Sequence, residues 1–157
     1  RLLSAAGARL RPDEYSHSSI RNLYLDTPDF RLIRRSLEKP VYKEKLRLRS
    51  YGRADREHPV FMELKKKYRS IVYKRRLTLP YGRALDCLTG DCPWPETQIG
   101  REIGYAMDFY PDLEPRVFLS YERDSWYAPE SGLRITFDDC LEYLDCHRFR
   151  SPWRPII

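Results

Sequence analysis

The chain has 157 residues, of which 41% are hydrophobic and 33% are charged. This balance is typical of one globular domain with a sizeable core, and it excludes an intrinsically disordered chain. A formal net charge of +6 predicts an anionic partner without deciding between nucleic acid, a membrane surface and phosphate. No apolar run reaches the roughly 20 residues that a membrane-spanning helix needs. At this length we expect residues 1–157 to form one domain. Because the sequence starts at Arg1 without a methionine, we expect it to be a fragment.

The cysteines and histidines do not form a known metal or catalytic motif. Cys87 and Cys92 are separated by four residues, and Cys140 and Cys146 by five, which is not a zinc-ribbon spacing. We therefore expect reduced thiols in a cytoplasmic protein. The histidines are scattered, with no H-x-x-x-H pair and no neighbouring Ser or Cys that would indicate a catalytic triad.

The first elements of the chain are a predicted strand and a predicted helix. Residues 1–18 are polar, and we expect them to be irregular. Ser19–Asp26 is predicted to be a strand because it is rich in β-branched and aromatic residues. Thr27 has the chemistry of a helix N-cap, which predicts a helix over residues 29–38. The buried stripe of this helix would consist of Phe30, Ile33 and Leu37.

Residues 42–79 carry the strongest pattern, with Lys and Arg at alternate positions of three predicted strands. Successive side chains of a strand point to opposite faces, so the cations share one face and the leucines lie on the other. The short turn at 68–70 predicts that the second and third strands are antiparallel neighbours. The polar face would hold Lys43, Lys45, Arg47, Arg49, Glu63, Lys65, Lys67, Lys74, Arg76 and Thr78.

The rest of the chain adds two helices and two strands. We predict helices around 82–88 and over 97–110, followed by strands within 116–127 and 133–139. In the last strand Arg134, Thr136 and Asp138 share one face, which gives a fourth polar face with a cation on it. Gly100 and Gly104 have a spacing that indicates close packing or chance, since they do not lie in an apolar membrane segment.

One alternating Lys/Arg face is usually an ordinary solvent surface, but four in one small domain are unusual because soluble surfaces mix both signs of charge. A sheet curled with its polar faces inward would form a basic tunnel, with its apolar faces covered by helices. Such a tunnel fits a linear polyanion, because Arg forks onto phosphate oxygens and Lys supplies point charges. Glu63 and Asp138 could supply oxygen ligands for Mn²⁺ or Mg²⁺, or they could pair with neighbouring cations.

Other phosphate and nucleic-acid motifs are absent from the sequence. There is no G-x-x-x-x-G-K-[ST] or G-x-G-x-x-G loop, which argues against phosphate binding at a helix N-terminus. No helix-turn-helix, zinc finger or RNP-like motif is present, so we expect no specific nucleic acid as partner. Sequence-independent nucleic-acid binding stays open.

Six short motifs between residues 19 and 139 occur together: NLYLDTPDF, KLRLRSYG, FMELKKKY, VYKRR, SYERDSWY and LRITFDD. They resemble the VTC domain, the polyphosphate polymerase domain of the vacuolar transporter chaperone complex and its bacterial relatives, within the triphosphate tunnel metalloenzymes (CYTH-like superfamily). The resemblance implies an α+β fold with a barrel-like tunnel of antiparallel strands and flanking helices. It also implies transfer of the ATP γ-phosphate to a growing inorganic polyphosphate chain, with Mn²⁺ or Mg²⁺ as cofactor, and it leaves room for a membrane-protein partner.

The resemblance also implies which residues bind phosphate, although it assigns no catalytic residue. The matching positions are Arg47, Arg49, Lys65, Lys74, Arg123 and Arg134, and Lys45 and Arg76 are added because they share the same faces. Strand alternation alone selects all of these except Arg123. The family's E-x-K strands at both ends of the domain are not found, so we expect the first and last tunnel strands to be absent from this chain. Two alternatives are a metal-dependent triphosphate hydrolase and a non-catalytic module that binds polyphosphate or inositol pyrophosphate.

Overall fold

The computed structural model describes residues 10–146, which form one six-stranded sheet and three helices. The strands are β1 (Arg11–Asp26), β2 (Tyr42–Tyr51), β3 (Pro59–Tyr68), β4 (Ile71–Pro80), β5 (Glu114–Ala128) and β6 (Leu133–Asp145). The helices are α1 (Arg31–Leu37), α2 (Tyr81–Thr89) and α3 (Gln98–Phe109). All neighbouring strands are antiparallel, in the order β4-β3-β2-β1-β5-β6. The α+β prediction is confirmed, and within the described residues the sheet is open, with β4 and β6 at its edges.

One face of this sheet forms the hydrophobic core. Leu46 and Leu48 of β2 and Leu64 of β3 are fully buried, in one cluster with Ala84 of α2 and Ile103 of α3. Burying each leucine side chain stabilises the fold by roughly 1.5–3 kcal/mol. Because strand side chains alternate, this apolar face leaves the cationic positions of the same strands on the opposite side of the sheet.

Arg75 is the one cation that the sequence pattern places on the apolar side of β4. The structure gives it a partner on the helix that covers that side. The Nε atom of Arg75 donates to both carboxylate oxygens of Glu102 in α3, at 3.1 Å. Lys66 of β3 lies 3.7 Å from the same carboxylate. These contacts fasten α3 to the sheet at the edge of the core.

The β3–β4 hairpin confirms the predicted antiparallel pair. Only Arg69 and Ser70 separate the two strands, and Arg69 has a left-handed φ of 52°. A two-residue loop of this handedness matches the twist of the flanking strands. The resulting register places Glu63 opposite Arg76 and Lys65 opposite Lys74.

The expectation that the residues before Ser19 are irregular is wrong for 11–18. β1 begins at Arg11, and this first half of the strand pairs with β5, with Arg11 opposite Tyr127. The register is irregular between Pro12 and His17. A proline cannot donate a ladder hydrogen bond, and it is tolerated at such an irregularity because the regular ladder is interrupted there. Pairing with the long β5 strand decides the conformation here, against the weak local propensity.

The start of α1 is capped differently from the prediction. Asp26, at the end of β1, accepts hydrogen bonds from the backbone N–H groups of Leu32 and Ile33, at 2.8 and 3.0 Å. Thr27 contributes through its hydroxyl oxygen, which accepts the N–H of Arg31 at 2.9 Å. The helix begins at Arg31, after Phe30 in a left-handed conformation. Asp26 is therefore the main cap, and it ties the helix to the sheet.

The predicted buried stripe of α1 is also wrong. Ile33 and Leu37 are exposed, whereas Leu32 and Ser36 are buried. The cause is the late start of the helix, because the Asp26 carboxylate fixes which side of the first turn faces the sheet. The helix therefore presents Leu32 to the core.

The glycines of α3 are packing positions. A Cβ atom on Gly100 would lie 2.0 Å from the carbonyl oxygen of Pro95, and one on Gly104 would lie 3.3 Å from the ring of Trp94. The loop before α3 therefore lies directly against the helix, which confirms close packing. Thr97 caps this helix by accepting the N–H of Gly100 at 3.0 Å. None of the helices in the described part of the chain is long and apolar enough to span a bilayer.

Candidate polyanion-binding site

The strand register gathers the polar side chains of β1 to β4 into rows on the face opposite the core. One row runs from Tyr24 through Arg47 and Glu63 to Arg76. Side chains directly opposite each other on neighbouring strands lie close enough to interact. Residues that are far apart in the sequence therefore form one continuous surface.

Glu63 is the centre of this row. Its side chain is only 2% exposed, and it is surrounded by three cations. Arg47 donates to Oε2 from Nε and Nη2, both at 2.6 Å. Arg76 donates to Oε1 from Nε at 2.8 Å and Nη2 at 2.6 Å, and Lys74 reaches the same oxygen at 3.1 Å. The carboxylate thus fixes the position of cations from two strands.

The protonation of Glu63 follows from these contacts. Burial alone would raise its pKa, but the charge of Arg47 and the hydrogen bonds from Arg76, Arg47 and Lys74 outweigh it and lower the pKa to about 2. The carboxylate is therefore ionised at neutral pH. Tyr24 supports the same cluster, because its hydroxyl oxygen accepts from Nη1 of Arg47 at 3.0 Å.

The next rows consist of lysines facing lysines. We call them the lysine ladder, defined as Lys43, Lys45, Lys65, Lys67 and Lys74. Lys45 lies opposite Lys65, Lys65 lies opposite Lys74, and Lys43 lies opposite Lys67. Like charges directly across a strand pair destabilise a sheet. Within the described residues Lys45, Lys65 and Lys67 form no ion pair, so the ladder carries uncompensated positive charge.

A cavity of about 350 Å³ lies over the junction of the Glu63 cluster and the lysine ladder. Its lining residues are Tyr24, Lys45, Arg47, Glu63, Lys65, Val72 and Lys74. A second cavity of about 270 Å³ continues along the ladder, where Lys43 and Lys67 join the wall. Lysine ammonium groups beside an arginine fork are suited to the oxygens of several phosphates in a row.

A second group of predicted residues lies further along the same face. Arg49 is 7% exposed, and its Nε donates to Oδ1 of Asn22 at 2.8 Å. Arg123 of β5 forks onto Asp138 of β6, at 2.6 and 2.8 Å. The hydrogen bond from Arg123 is the main cause of the lowered pKa of Asp138. These residues extend the basic face towards β6 but do not line the two cavities.

Arg134 is placed apart from the other predicted residues. Its Nη2 atom lies 2.7 Å from a carboxylate oxygen of Asp13, near the turn that joins β5 and β6. It is four residues from Asp138 on the same strand, a separation of about 13 Å at the usual rise per residue. The structure therefore groups Lys45, Arg47, Lys65, Lys74 and Arg76 more closely than it groups Arg134 with any of them.

Glu63 and Asp138 were also predicted as metal ligands. Both carboxylates are already engaged by cations, and the described residues contain no group of three or more His, Cys, Asp or Glu side chains that could hold a metal ion. Divalent cations such as Mg²⁺ and Mn²⁺ prefer several oxygen ligands. As arranged here, these two residues do not fit such an ion by themselves, and their metal role stays a prediction.

Three residues that line the cavities, Tyr24, Lys43 and Lys67, were not among the residues predicted to bind phosphate. Tyr24 lies two residues from Asn22 on β1, and both point towards the basic face. Lys43 and Lys67 lie at the end of the ladder. The alternation already placed the two lysines on the polar face, whereas Tyr24 could have been found only by knowing that β1 pairs with β2.

A family model of the VTC domain matches residues 1–155. The chain belongs to the VTC domain family. No curated protein matches its sequence. Among solved structures, a Bacillus halodurans protein described as a candidate adenylate cyclase is similar at a TM-score of 0.46 and 18% identity, over 82% of this chain and 68% of that one.

Proposed function

We propose that this VTC domain is a phosphotransferase that moves the γ-phosphate of ATP onto a growing inorganic polyphosphate chain. The observation that carries the proposal is the lysine ladder, which lies beside the Arg47–Glu63–Arg76 cluster. In the ladder Lys45 and Lys65 face each other, and neither forms an ion pair with a carboxylate of the described residues. Such a surface requires an anion with several charges to offset its own repulsion. A linear chain of phosphates meets that requirement along two neighbouring cavities that share Lys45 and Lys65 in their walls.

The mechanism we propose is mainly electrostatic. Phosphoryl transfer needs in-line positioning and stabilisation of charge on the transferred group, with little covalent work for the protein. Arg47 and Arg76, held by Glu63, would bind the phosphates at one place, while the lysine ladder would hold the rest of the chain. Mn²⁺ or Mg²⁺ would add further charge neutralisation. We assign no step to the metal, because the described carboxylates do not form a site for it.

The test is to incubate the protein with ATP in the presence of Mn²⁺ or Mg²⁺ and to measure ADP and long-chain polyphosphate. We expect both products, and we expect the K45Q/K65Q double variant to lose most of the turnover. Arg83→Gln serves as a control because this exposed residue lies on α2, on the opposite side of the sheet. Release of orthophosphate alone would show a triphosphate hydrolase, in which water accepts the phosphoryl group.

A second candidate is a non-catalytic module that binds polyphosphate. It is favoured by the absence of a carboxylate cluster suited to a metal among the described residues. This candidate predicts tight binding of polyphosphate with no release of ADP from ATP. Duplex DNA is the control ligand in the binding experiment, and equal competition by DNA would count against both candidates.

A further inference from the structure

A third cavity, of about 270 Å³, lies next to the basic cavities and has a different chemistry. Tyr24 and Lys45 line both this cavity and the basic one over Glu63. The remaining wall is largely apolar and includes Phe30 and Ile33, at the start of α1, and Leu119 of β5. An apolar compartment thus opens beside the end of the lysine ladder.

Inorganic polyphosphate has no apolar part, so the apolar wall of this cavity offers the polymer no favourable contact. A nucleoside triphosphate has one planar, weakly polar end and one polyanionic end. The cavity volume is at the lower limit of the roughly 300–1,000 Å³ of ligand pockets, which suits one ring system rather than a whole nucleotide. We propose that this cavity binds the purine base of the ATP donor, with the triphosphate reaching past Lys45 into the basic cavity.

Arg116 provides a second and independent observation. It is 5% exposed and lines the cavity, and its Nε atom is buried without a hydrogen-bond partner. Its other nitrogens are engaged, because Nη1 donates to Glu114 at 2.7 Å and Nη2 donates to the carbonyl oxygen of Pro28 at 3.2 Å. A buried donor without an acceptor is costly. A ring nitrogen of a purine would supply the missing acceptor once the guanidinium turns towards the cavity.

Local backbone features place Arg116 in this wall. The β1–β5 register shifts between Tyr24 and Leu25, so that Arg116 is the extra residue of an irregularity in β5. Such irregularities re-aim a side chain out of the regular alternation. Phe30, which has a left-handed φ of 59°, lies with its ring 4.3 Å from the Arg116 guanidinium carbon. Phe30 and Arg116 therefore line the same cavity side by side.

The first test uses the unmodified protein. Binding of ATP, CTP and inorganic tripolyphosphate is measured by calorimetry without a divalent metal, so that affinity is separated from turnover. We expect ATP to bind about tenfold more tightly than CTP, because the larger purine ring fills more of the apolar cavity. Equal affinities for ATP and CTP would overturn the proposal.

The second test fills the cavity from the surface. Ile33→Trp adds a ring at an exposed position of the wall, and Leu37→Trp adds the same ring on the same helix at a more exposed position that does not line the cavity. We expect Ile33→Trp to weaken ATP binding about tenfold and to leave tripolyphosphate binding unchanged, with no effect of Leu37→Trp on either. An equal loss for both ligands, or no loss, would contradict the base site. If Ile33→Trp does not fold, the comparison of ATP with CTP decides.

This inference rests on ATP being the donor in the proposed function. Different experimental results would contradict the base site and the phosphotransferase activity. Formation of ADP and polyphosphate with equal affinity for ATP and CTP would remove the base site and keep the phosphotransferase. Base-dependent binding without release of ADP would keep the base site and remove the phosphotransferase.

Discussion

Glu63 is a buried carboxylate whose function in this fold is to hold cations in place. Its two oxygens accept from Arg47 on one side and from Arg76 and Lys74 on the other. Two arginines that would otherwise repel each other are thereby fixed in defined positions. A ligand phosphate then meets positioned donors rather than mobile side chains, which reduces the entropy lost on binding.

Replacing Glu63 by Gln should destabilise the fold by about 2 kcal/mol, because three neighbouring cations lose their counter-ion while the shape is kept. Denaturant unfolding at low salt measures the change. Asp138→Asn is the matched control. It removes a carboxylate from an exposed pair on the same face, and it should cost less than about 1 kcal/mol. Equal losses of stability in the two variants would mean that the Glu63 ion pairs stabilise the fold no more than an exposed ion pair does.

The lowered pKa of Glu63 also predicts a pH dependence. Its pKa falls from the usual 4.5 to about 2 on folding, so the unfolded chain binds more protons between these values. The stabilisation from ionised Glu63 is complete above pH 4.5 and is lost as the pH falls towards 2. The difference in stability between the wild type and Glu63→Gln should therefore shrink over this window. A difference that stays constant from pH 6 to pH 2.5 would contradict the ion-pair account.

At the scale of elements, α1 and the end of β1 form one unit. Asp26 closes β1 and caps α1 through backbone N–H groups of the first helical turn. The same helix supplies Ile33 to the apolar cavity. A short helix of this kind has little intrinsic stability, so its position depends on the cap. The cap therefore connects the stability of the helix to the shape of the proposed base site.

Asp26→Ala should lower the free energy of unfolding by about 2 kcal/mol, because a buried cap with several acceptor contacts is removed. It should also weaken ATP binding more than tripolyphosphate binding, since Asp26 and α1 both line the apolar cavity. Asp29→Ala is the control, because this exposed carboxylate lies next to the cap and accepts from the Thr27 hydroxyl at 2.6 Å. Its expected cost is below about 0.5 kcal/mol. Equal losses for the two variants would show that Asp26 is not the main cap.

At the scale of the whole molecule, the sheet separates two kinds of surface. The helices α2 and α3 cover the apolar face, and the opposite face collects the cations of four strands. The lysines of the ladder and the arginines beside them are therefore concentrated on one side of the sheet. Concentrated like charge attracts a polyanion and destabilises the unliganded fold at low salt.

Lys65→Gln should raise the melting temperature at low salt by a few degrees, because Lys65 faces both Lys45 and Lys74. The same change should reduce the stabilisation that tripolyphosphate gives to the wild type. Arg83→Gln, with the same change in net charge on the other side of the sheet, should do neither. A lower melting temperature for Lys65→Gln would show that the ladder is stabilising by itself, and the argument for a bound polyanion would fail.

Much of this organisation follows from local pattern. Alternation in β2, β3 and β4 predicts which cations share a face, and the short turn at 68–70 predicts that β3 and β4 are antiparallel neighbours. The pattern could not predict the first half of β1, because its polar residues form a strand only by pairing with β5. It also could not predict the helix cap, since Asp26 acts across the end of a strand and the start of a helix.

The sequence by itself determined the α+β class, the basic face and the VTC family, because strand periodicity and short motifs are local properties of the chain. Only the tertiary structure decided that Glu63 is enclosed by three cations, that Lys45 faces Lys65, and that Arg134 pairs with Asp13 away from the cavities. It also decided that an apolar cavity lies beside the basic one. The physical reason is that register and packing set the distances between side chains, and electrostatic and apolar contacts depend on those distances.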